Sequence, residues 1–108
     1  MNAYSAKLAL KKLAIAAGNE LPDDITPVVG NLPARVSKKK AVNQALVLHQ
    51  QEKWAKKIEH RSIQRLGNED VATVEAARPG IQYFRNRTTS YLKDHFSSLF
   101  DLPSQTIS

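Results

Sequence analysis

The chain's histidines, its acidic residues and two adjacent serines near its C-terminus are the side chains that could perform acid–base or nucleophilic chemistry. His49, His60 and His95 are too far apart in sequence for the close histidine pairing of a helical zinc site. Asp94 and His95 are neighbours, but neighbouring residues on a helix point in different directions and do not form a catalytic dyad. The chain also contains no cysteine. We therefore expect no catalytic residues, no metal site and no cofactor.

The other candidates for catalysis are equally isolated. Asp23 and Asp24 follow a proline, and no polar partner lies nearby in sequence to tune them as an acid–base pair. A turn or a helix cap is the simpler interpretation of these two residues. The four glycines are too widely spaced to form a phosphate-binding loop. These patterns predict a protein that is not an enzyme and that has no small-molecule substrate.

Positive charge is the chemical feature that is concentrated in one part of the chain. Residues 35–65 contain nine basic and two acidic residues, a net charge of +7, whereas the whole chain carries +6. A polyanionic partner is the simplest reason for such a local excess. The residues expected to contact phosphates are Lys38, Lys39, Lys40, Lys53, Lys57, Arg61, Arg65, Arg85 and Arg87.

Arg85 and Arg87 belong to a second candidate segment, residues 83–90, which combines two aromatic residues, two arginines and three hydroxyl side chains. We expect it to lie just before a helix N-terminus. There, backbone N–H groups and arginines could bind phosphate, and the aromatic rings could stack on unpaired bases. The alternative is that Tyr83 and Phe84 belong to the core and that the arginines only solvate the surface.

A long helix must present most of these basic residues. The stretch from Ser37 to Leu66 contains no glycine or proline and is rich in good helix formers, which predicts one basic central helix over about residues 37–66. Ser37 is the expected N-cap. Three lysines in the first turn oppose the helix dipole, and such a conflict can mark a site where a partner supplies negative charge. A helical wheel places one set of polar residues opposite a thin apolar stripe: Lys53, Lys57, His60, Arg61 and Gln64.

Shorter helices are predicted on both sides of this long helix, which gives an all-α fold class. Their expected ranges are about 4–17, 69–78 and 90–102, with an extended proline-rich strap over 19–36 and a tail over 103–108. The pair Pro79-Gly80 predicts the end of the third helix, and the segment after it could be helix or strand. The first helix carries a second apolar group, Tyr4, Leu8 and Ile15, apart from its main apolar stripe.

A chain of 108 residues is expected to form a single small helical domain. Because a chain of this size buries a modest share of its surface, we expect partners to complete it. The residues expected to contact neighbouring proteins are Trp54, Ile58, Phe96, Leu99 and Phe100. No apolar run reaches the length of about 18–20 residues that a membrane span needs.

The favoured function is a structural RNA-binding subunit of a ribonucleoprotein, and the commonest example is a ribosomal protein, mitochondrial ones included, that contacts ribosomal RNA. The absence of cysteine favours a reducing intracellular compartment, cytoplasmic or mitochondrial matrix. One alternative is a helical accessory or assembly factor that binds an acidic protein. A second alternative is a DNA-binding or packaging protein of a phage or mobile element. Sequence-specific DNA reading is less favoured because the basic helix is long and its apolar stripe is thin.

Overall fold

A computed structural model describes residues 1–20, 32 and 35–96 of the chain. These residues form three α-helices: α1 (Ala3–Ala16), α2 (Lys38–Leu66) and α3 (Val71–His95). Each helix packs against the other two, and no strand occurs among the described residues. The predicted all-α class is therefore confirmed. Most of the predicted strap, residues 21–31 and 33–34, and the tail lie outside the described residues.

The first helix is one residue displaced at each end from the predicted range of 4–17. Asn2 caps its start, where the backbone N–H of Ser5 donates to Asn2 Oδ1 at 2.8 Å. Gly18 follows its end with a positive φ of 70°, a conformation that glycine adopts without a Cβ clash. The inner face of α1 buries the stripe of apolar residues that its sequence spacing predicts: Ala6, Leu10, Leu13 and Ala17.

The second helix is 29 residues long, which corresponds to about 43 Å. It begins after Ser37, whose hydroxyl accepts from the backbone N–H of Lys40 at 3.2 Å, so the expected N-cap is confirmed. It ends at Gly67, which has a positive φ of 55°. A short connection then leads to Asp70, whose carboxylate accepts from both the backbone N–H and the hydroxyl of Thr73 and caps α3.

The third helix corrects the predicted organisation of the second half of the chain. Residues 71–95 form one continuous helix, so the predicted separation into a helix ending at 78 and another beginning at 90 is wrong, and the ambiguous segment between them is helical. Residues 97–102 of the last predicted helix lie outside the described residues. Pro79 lies inside this helix with an exposed ring, and Gly80 is buried. A Cβ on Gly80 would lie 3.0 Å from the carbonyl oxygen of Ala6 and 3.2 Å from the Cβ of Ala9. The glycine therefore serves close packing against α1 rather than a turn.

All three helices contribute to one core. Its largest members from α2 and α3 include Trp54, Ile58, Ile81 and Phe84, which meet leucines and alanines of α1. The Trp54 and Phe84 rings meet edge to face, with centroids 6.4 Å apart. Further along the pair of long helices the contacts become polar. There, the hydroxyl of Thr88 donates in a bond shared between the carbonyl oxygens of Leu48 and Phe84.

A polar pair lies near the start of α2 and the end of α3. The Tyr91 hydroxyl donates to the side-chain oxygen of Gln44. Burial raises the pKa of Tyr91 above the ordinary value of a phenol, because the charged form would be poorly solvated there. The Thr88 and Tyr91 contacts show that α2 and α3 run antiparallel, and they fix the register of the two helices at this end of the pair.

Candidate nucleic-acid interface

The outer face of α2 carries a row of exposed side chains that contains no acidic residue. Residues that follow each other at intervals of three and four lie on one side of an α-helix. We call this row the basic strip, and all of its members are exposed: Lys39, Asn43, Leu46, Gln50, Lys53, Lys57, His60, Arg61 and Gln64. It extends over about 37 Å of the helix. The five residues that the helical wheel places opposite the apolar stripe all belong to it.

Four of the nine members carry a permanent positive charge. Lys53, Lys57 and Arg61 follow each other at intervals of four residues, so their attachment points are about 6 Å apart along the helix axis. Because α2 is packed against two other helices over its inner face, the backbone under these side chains is held in place. The strip therefore presents a line of cations from a fixed support, which suits the regularly charged backbone of a nucleic acid.

The two acidic residues of α2 are kept away from the strip by pairing within the chain. Glu52 pairs with Lys56 at 2.9 Å, and Glu59 pairs with Arg85 of α3 at 3.3 Å. The side chains of both glutamates are only 16% exposed. Each glutamate lies at the border between α2 and its neighbours, so the outer face itself presents no carboxylate.

Apart from Lys56, which pairs with Glu52, the basic residues of α2 outside the middle of the strip lie at the two ends of the helix. Lys38, Lys39 and Lys40 form the exposed first turn, with only Lys39 aligned with the strip. Arg65 is exposed in the last turn, where the helix dipole also favours a positive charge. These side chains extend the positive surface at both ends of the strip rather than widening its middle.

The second candidate segment, residues 83–90, does not have the predicted surroundings. It lies in the interior of α3, so its backbone N–H groups are used within the helix rather than offered to an anion. Phe84 and Thr88 are buried, and Arg85 is engaged by Glu59. The guanidinium of Arg87 lies 5.8 Å from the centroid of the half-buried Tyr83 ring. The alternative reading of this segment, core aromatic residues with arginines at the surface, fits this arrangement better.

The residues expected to contact other proteins divide into three groups. Trp54 and Ile58 are 4% and 1% exposed and belong to the core, so in this fold they contact the chain itself rather than a partner. Phe96 is half-buried and caps the end of α3. Leu99 and Phe100 lie outside the described residues. The correction for Trp54 and Ile58 has a physical cause, because these two side chains fill the space between α2 and both other helices.

Asn43, Leu46 and Gln50 also belong to the strip, although their residue types alone do not mark them for phosphate binding. Counting back from Lys53 in alternating steps of three and four residues would have found them. Amide side chains can donate to phosphate oxygens or to base edges. Leu46 is 57% exposed and places an apolar group between cations.

The part of the chain that the structure describes contains no group of three His, Asp or Glu side chains able to hold a metal ion. None of its helices is long and apolar enough to cross a membrane. His95 stacks on the Tyr91 ring, with centroids 4.2 Å apart, and His49 and His60 are exposed. Comparison with protein-family models, with characterised proteins and with solved structures finds no match to this chain. Function is therefore inferred from the surface of the bundle itself.

Proposed function

We propose that this chain binds nucleic acid through the basic strip and acts as a non-catalytic structural subunit of a ribonucleoprotein. The observation that carries the proposal is the absence of acidic residues along about 37 Å of exposed helix that also carries four permanent cations. An ordinary solvated helix face usually mixes both signs of charge along its length. Here both glutamates of α2 are instead paired at the border of the face.

The first turn of α2 supports the same proposal. Its three lysines lie where the helix dipole disfavours positive charge, and each such placement costs a few tenths of a kcal/mol. Phosphate groups near this turn would reverse that cost, since they would interact favourably with both the lysines and the dipole. The proposed ligand therefore compensates for a local conflict within the isolated chain.

Folded RNA is the favoured ligand because of the length and charge distribution of α2. Three of the four cations of the strip lie in the second half of the helix, whereas a recognition helix in DNA reads bases with its N-terminal residues. A helix of about 43 Å also extends beyond the few turns that can follow the curved major groove. A helix face that carries three successive cations, a further lysine and several amides suits phosphates on the surface of a folded RNA, where specificity comes mainly from shape.

Duplex DNA is the second candidate, and one observation favours it. The basic helix packs against two other helices through a compact inner face, which is the arrangement that supports a DNA-reading helix. A helix of about 10–12 Å in diameter can enter the major groove of B-DNA. The amides of Gln50 and Gln64 on the strip are side chains that can bind adenine edges.

The test measures fluorescence anisotropy of a labelled RNA hairpin and of a DNA duplex of matched length, titrated with the full chain over a range of salt concentrations. A double variant, Lys53→Glu with Arg61→Glu, is compared with a control double variant, Lys12→Glu with Lys93→Glu. Both variants change the net charge of the chain equally. We expect the first to weaken binding at least about tenfold and to reduce the salt slope by about 2, because phosphate contacts release counterions.

The control variant is expected to bind nearly as well as the unaltered chain. Tighter binding to the RNA hairpin than to the DNA duplex supports the ribonucleoprotein assignment, and the reverse preference selects the second candidate. Absence of binding to either nucleic acid at low salt overturns the proposal. Equal loss in both double variants would also overturn it, because the strip would then contribute only through net charge.

A further inference from the structure

A groove lies between α1 and α3, and every described residue that lines it belongs to one of these two helices. It has a volume of about 590 Å³. One wall is the row Tyr4, Leu8 and Lys12 of α1, and the other is formed around Thr73 and Ala76 of α3. Because the three helices pack around a common core, a groove made by α1 and α3 lies on the side of the bundle away from α2. It is therefore separate from the basic strip.

The α1 wall of this groove exposes large apolar side chains. In this wall, Tyr4 is 70% exposed and Leu8 is 42% exposed. Ile15, which is 70% exposed, continues the same side of α1 beyond the residues that line the groove. Their spacing places all three on one ridge of α1, opposite the stripe that enters the core. Across the groove, Ala76 of α3 is exposed and uncharged. A contiguous apolar surface of this kind, rather than scattered single residues, is typical of an interaction site.

The bottom of the groove is built from small side chains. Ala9 of α1 and Ala77 of α3 line it together with the buried Leu13, and Gly80 lets the two helices approach closely just beside it. Small residues leave room for the backbone of another helix to come near, while Tyr4 and Leu8 can pack along its side. A binding mode in which an amphipathic helix lies in an apolar groove uses this combination of floor and wall.

The charge of the groove indicates which kind of partner helix it can bind. Lys12 is the only charged residue among the described residues that line the groove. The helix α1 as a whole carries three lysines and no acidic residue. A second copy of this chain that packed its α1 against this one would bring like charges together, which is unfavourable. An anionic flat surface would meet Tyr4 and Ile15 but would leave the floor of the groove empty.

We propose that the groove between α1 and α3 binds an amphipathic helix of a partner protein that carries an acidic side chain opposite Lys12. The apolar residues of that helix lie at intervals of three and four and pack against Tyr4, Leu8 and Ala76. Its carboxylate pairs with the ammonium group of Lys12 at the rim. The proposal does not depend on nucleic-acid binding, because the basic strip lies on another side of the bundle. With both surfaces occupied, the chain would connect a protein helix to a nucleic acid.

The test uses two synthetic helical peptides with the same leucine and alanine face, one with glutamates at its polar positions and one with lysines. Each is titrated into the ¹⁵N-labelled full chain and followed by backbone amide chemical shifts. We expect the acidic peptide to shift the amides of Tyr4, Leu8 and Ala76 and to bind at least about tenfold more tightly than the basic peptide. Because the acidic peptide could also contact the strip, the titration is repeated in the Lys53→Glu, Arg61→Glu chain, where the groove shifts should persist.

Two further variants locate the interaction. Leu8→Asp should abolish the groove shifts, and circular dichroism should show that this partly exposed position leaves the helices intact. Lys12→Glu should reverse the ranking of the two peptides. If both peptides bind equally, or if the shifts are confined to α2, the proposal is wrong. Self-association in sedimentation, or binding to anionic phosphatidylserine vesicles, that Leu8→Asp removes would assign the groove to a second copy or to a lipid surface and would equally overturn it.

Discussion

The inner face of α2 buries Leu48, Ala55 and Ile58, whereas its outer face exposes Lys53, Lys57 and Arg61. Residues of the two faces alternate along one helix. Both faces therefore share the same helix length and the same neighbouring sequence. The inner face holds the helix to α1 and α3, and the outer face contributes little to that packing. Substitutions on the inner face should therefore change stability, and substitutions on the outer face should change ligand binding. If both kinds of substitution changed both properties, the two faces would be coupled.

The largest expected effect compares two isoleucines of α2. Ile58 is 1% exposed and Ile63 is 42% exposed. Ile58→Ala should lower the free energy of unfolding by about 2–5 kcal/mol, because it removes buried methyl groups and leaves a cavity. Ile63→Ala should change it by less than about 1 kcal/mol, since a partly exposed side chain loses little burial. Urea denaturation followed by circular dichroism measures both, and equal effects would contradict the assignment of the inner face.

The next comparison uses neighbouring positions in α3. Pro79→Ala should raise the free energy of unfolding by up to about 3 kcal/mol, because it restores a backbone donor at an exposed helix position. Gly80→Ala should lower it by about 1–3 kcal/mol despite the better helix propensity of alanine, because the new Cβ meets the backbone oxygen of Ala6. Opposite signs in thermal melts are the expected result. A gain at both positions would mean that α1 does not approach Gly80 closely.

A smaller effect is expected at a buried serine on the inner face of α2. The hydroxyl of Ser62 is fully buried and has no hydrogen-bond partner among the described residues. Ser62→Ala should therefore raise the free energy of unfolding by about 1 kcal/mol, since an unsatisfied buried hydroxyl is costly. The exposed Ser90 provides the control, because Ser90→Ala gains only helix propensity. Loss of stability in Ser62→Ala would show that the hydroxyl has a partner.

The smallest effect concerns pH and the start of α3, which belongs to neither face of α2. Hydrogen bonds from the side chain and the backbone N–H of Thr73 lower the pKa of Asp70 below its ordinary value of 3.8. Because the folded pKa is the lower one, this contribution is present above pH 3.8 and is lost as the pH falls through the folded pKa. The Tm of Asp70→Asn should therefore fall less steeply than that of the unaltered chain as the pH is lowered through that window. An unchanged acid profile would contradict this role for the cap.

The comparison of the two faces also explains which parts of the fold could be predicted from the sequence. The start of α2 at Ser37 and its end at Gly67 follow from local rules, because a capping hydroxyl and a positive-φ glycine act within a few residues. The exposure of Lys53 and Arg61 follows from helical periodicity in the same way. Local rules failed at Pro79-Gly80, where the deciding contact is with Ala6 and Ala9, more than seventy residues away in the chain.

The same limit applies to the candidate sites. A thin apolar stripe on α2 is consistent with a helix that needs a partner, yet Trp54 and Ile58 fill the core because α1 and α3 meet α2 on two sides. The pairing of Glu59 with Arg85 also depends on the alignment of two helices and could not be read from either segment alone. The groove between α1 and α3 was only half visible in the sequence. The spacing of Tyr4 and Leu8 marks one wall, but nothing in the sequence marks Ala76 as its neighbour.

The short connection between α2 and α3 has a consequence for the order of folding. Residues 67–70 join two antiparallel helices that follow each other directly in the chain, and helical pairs of this kind form within about microseconds to milliseconds. We expect this hairpin to form early and α1 to dock onto it afterwards. The groove exists only when α1 is docked, whereas the basic strip needs only the hairpin. A helix bound in the groove would thus slow the undocking of α1 and stabilise the element that docks last during folding.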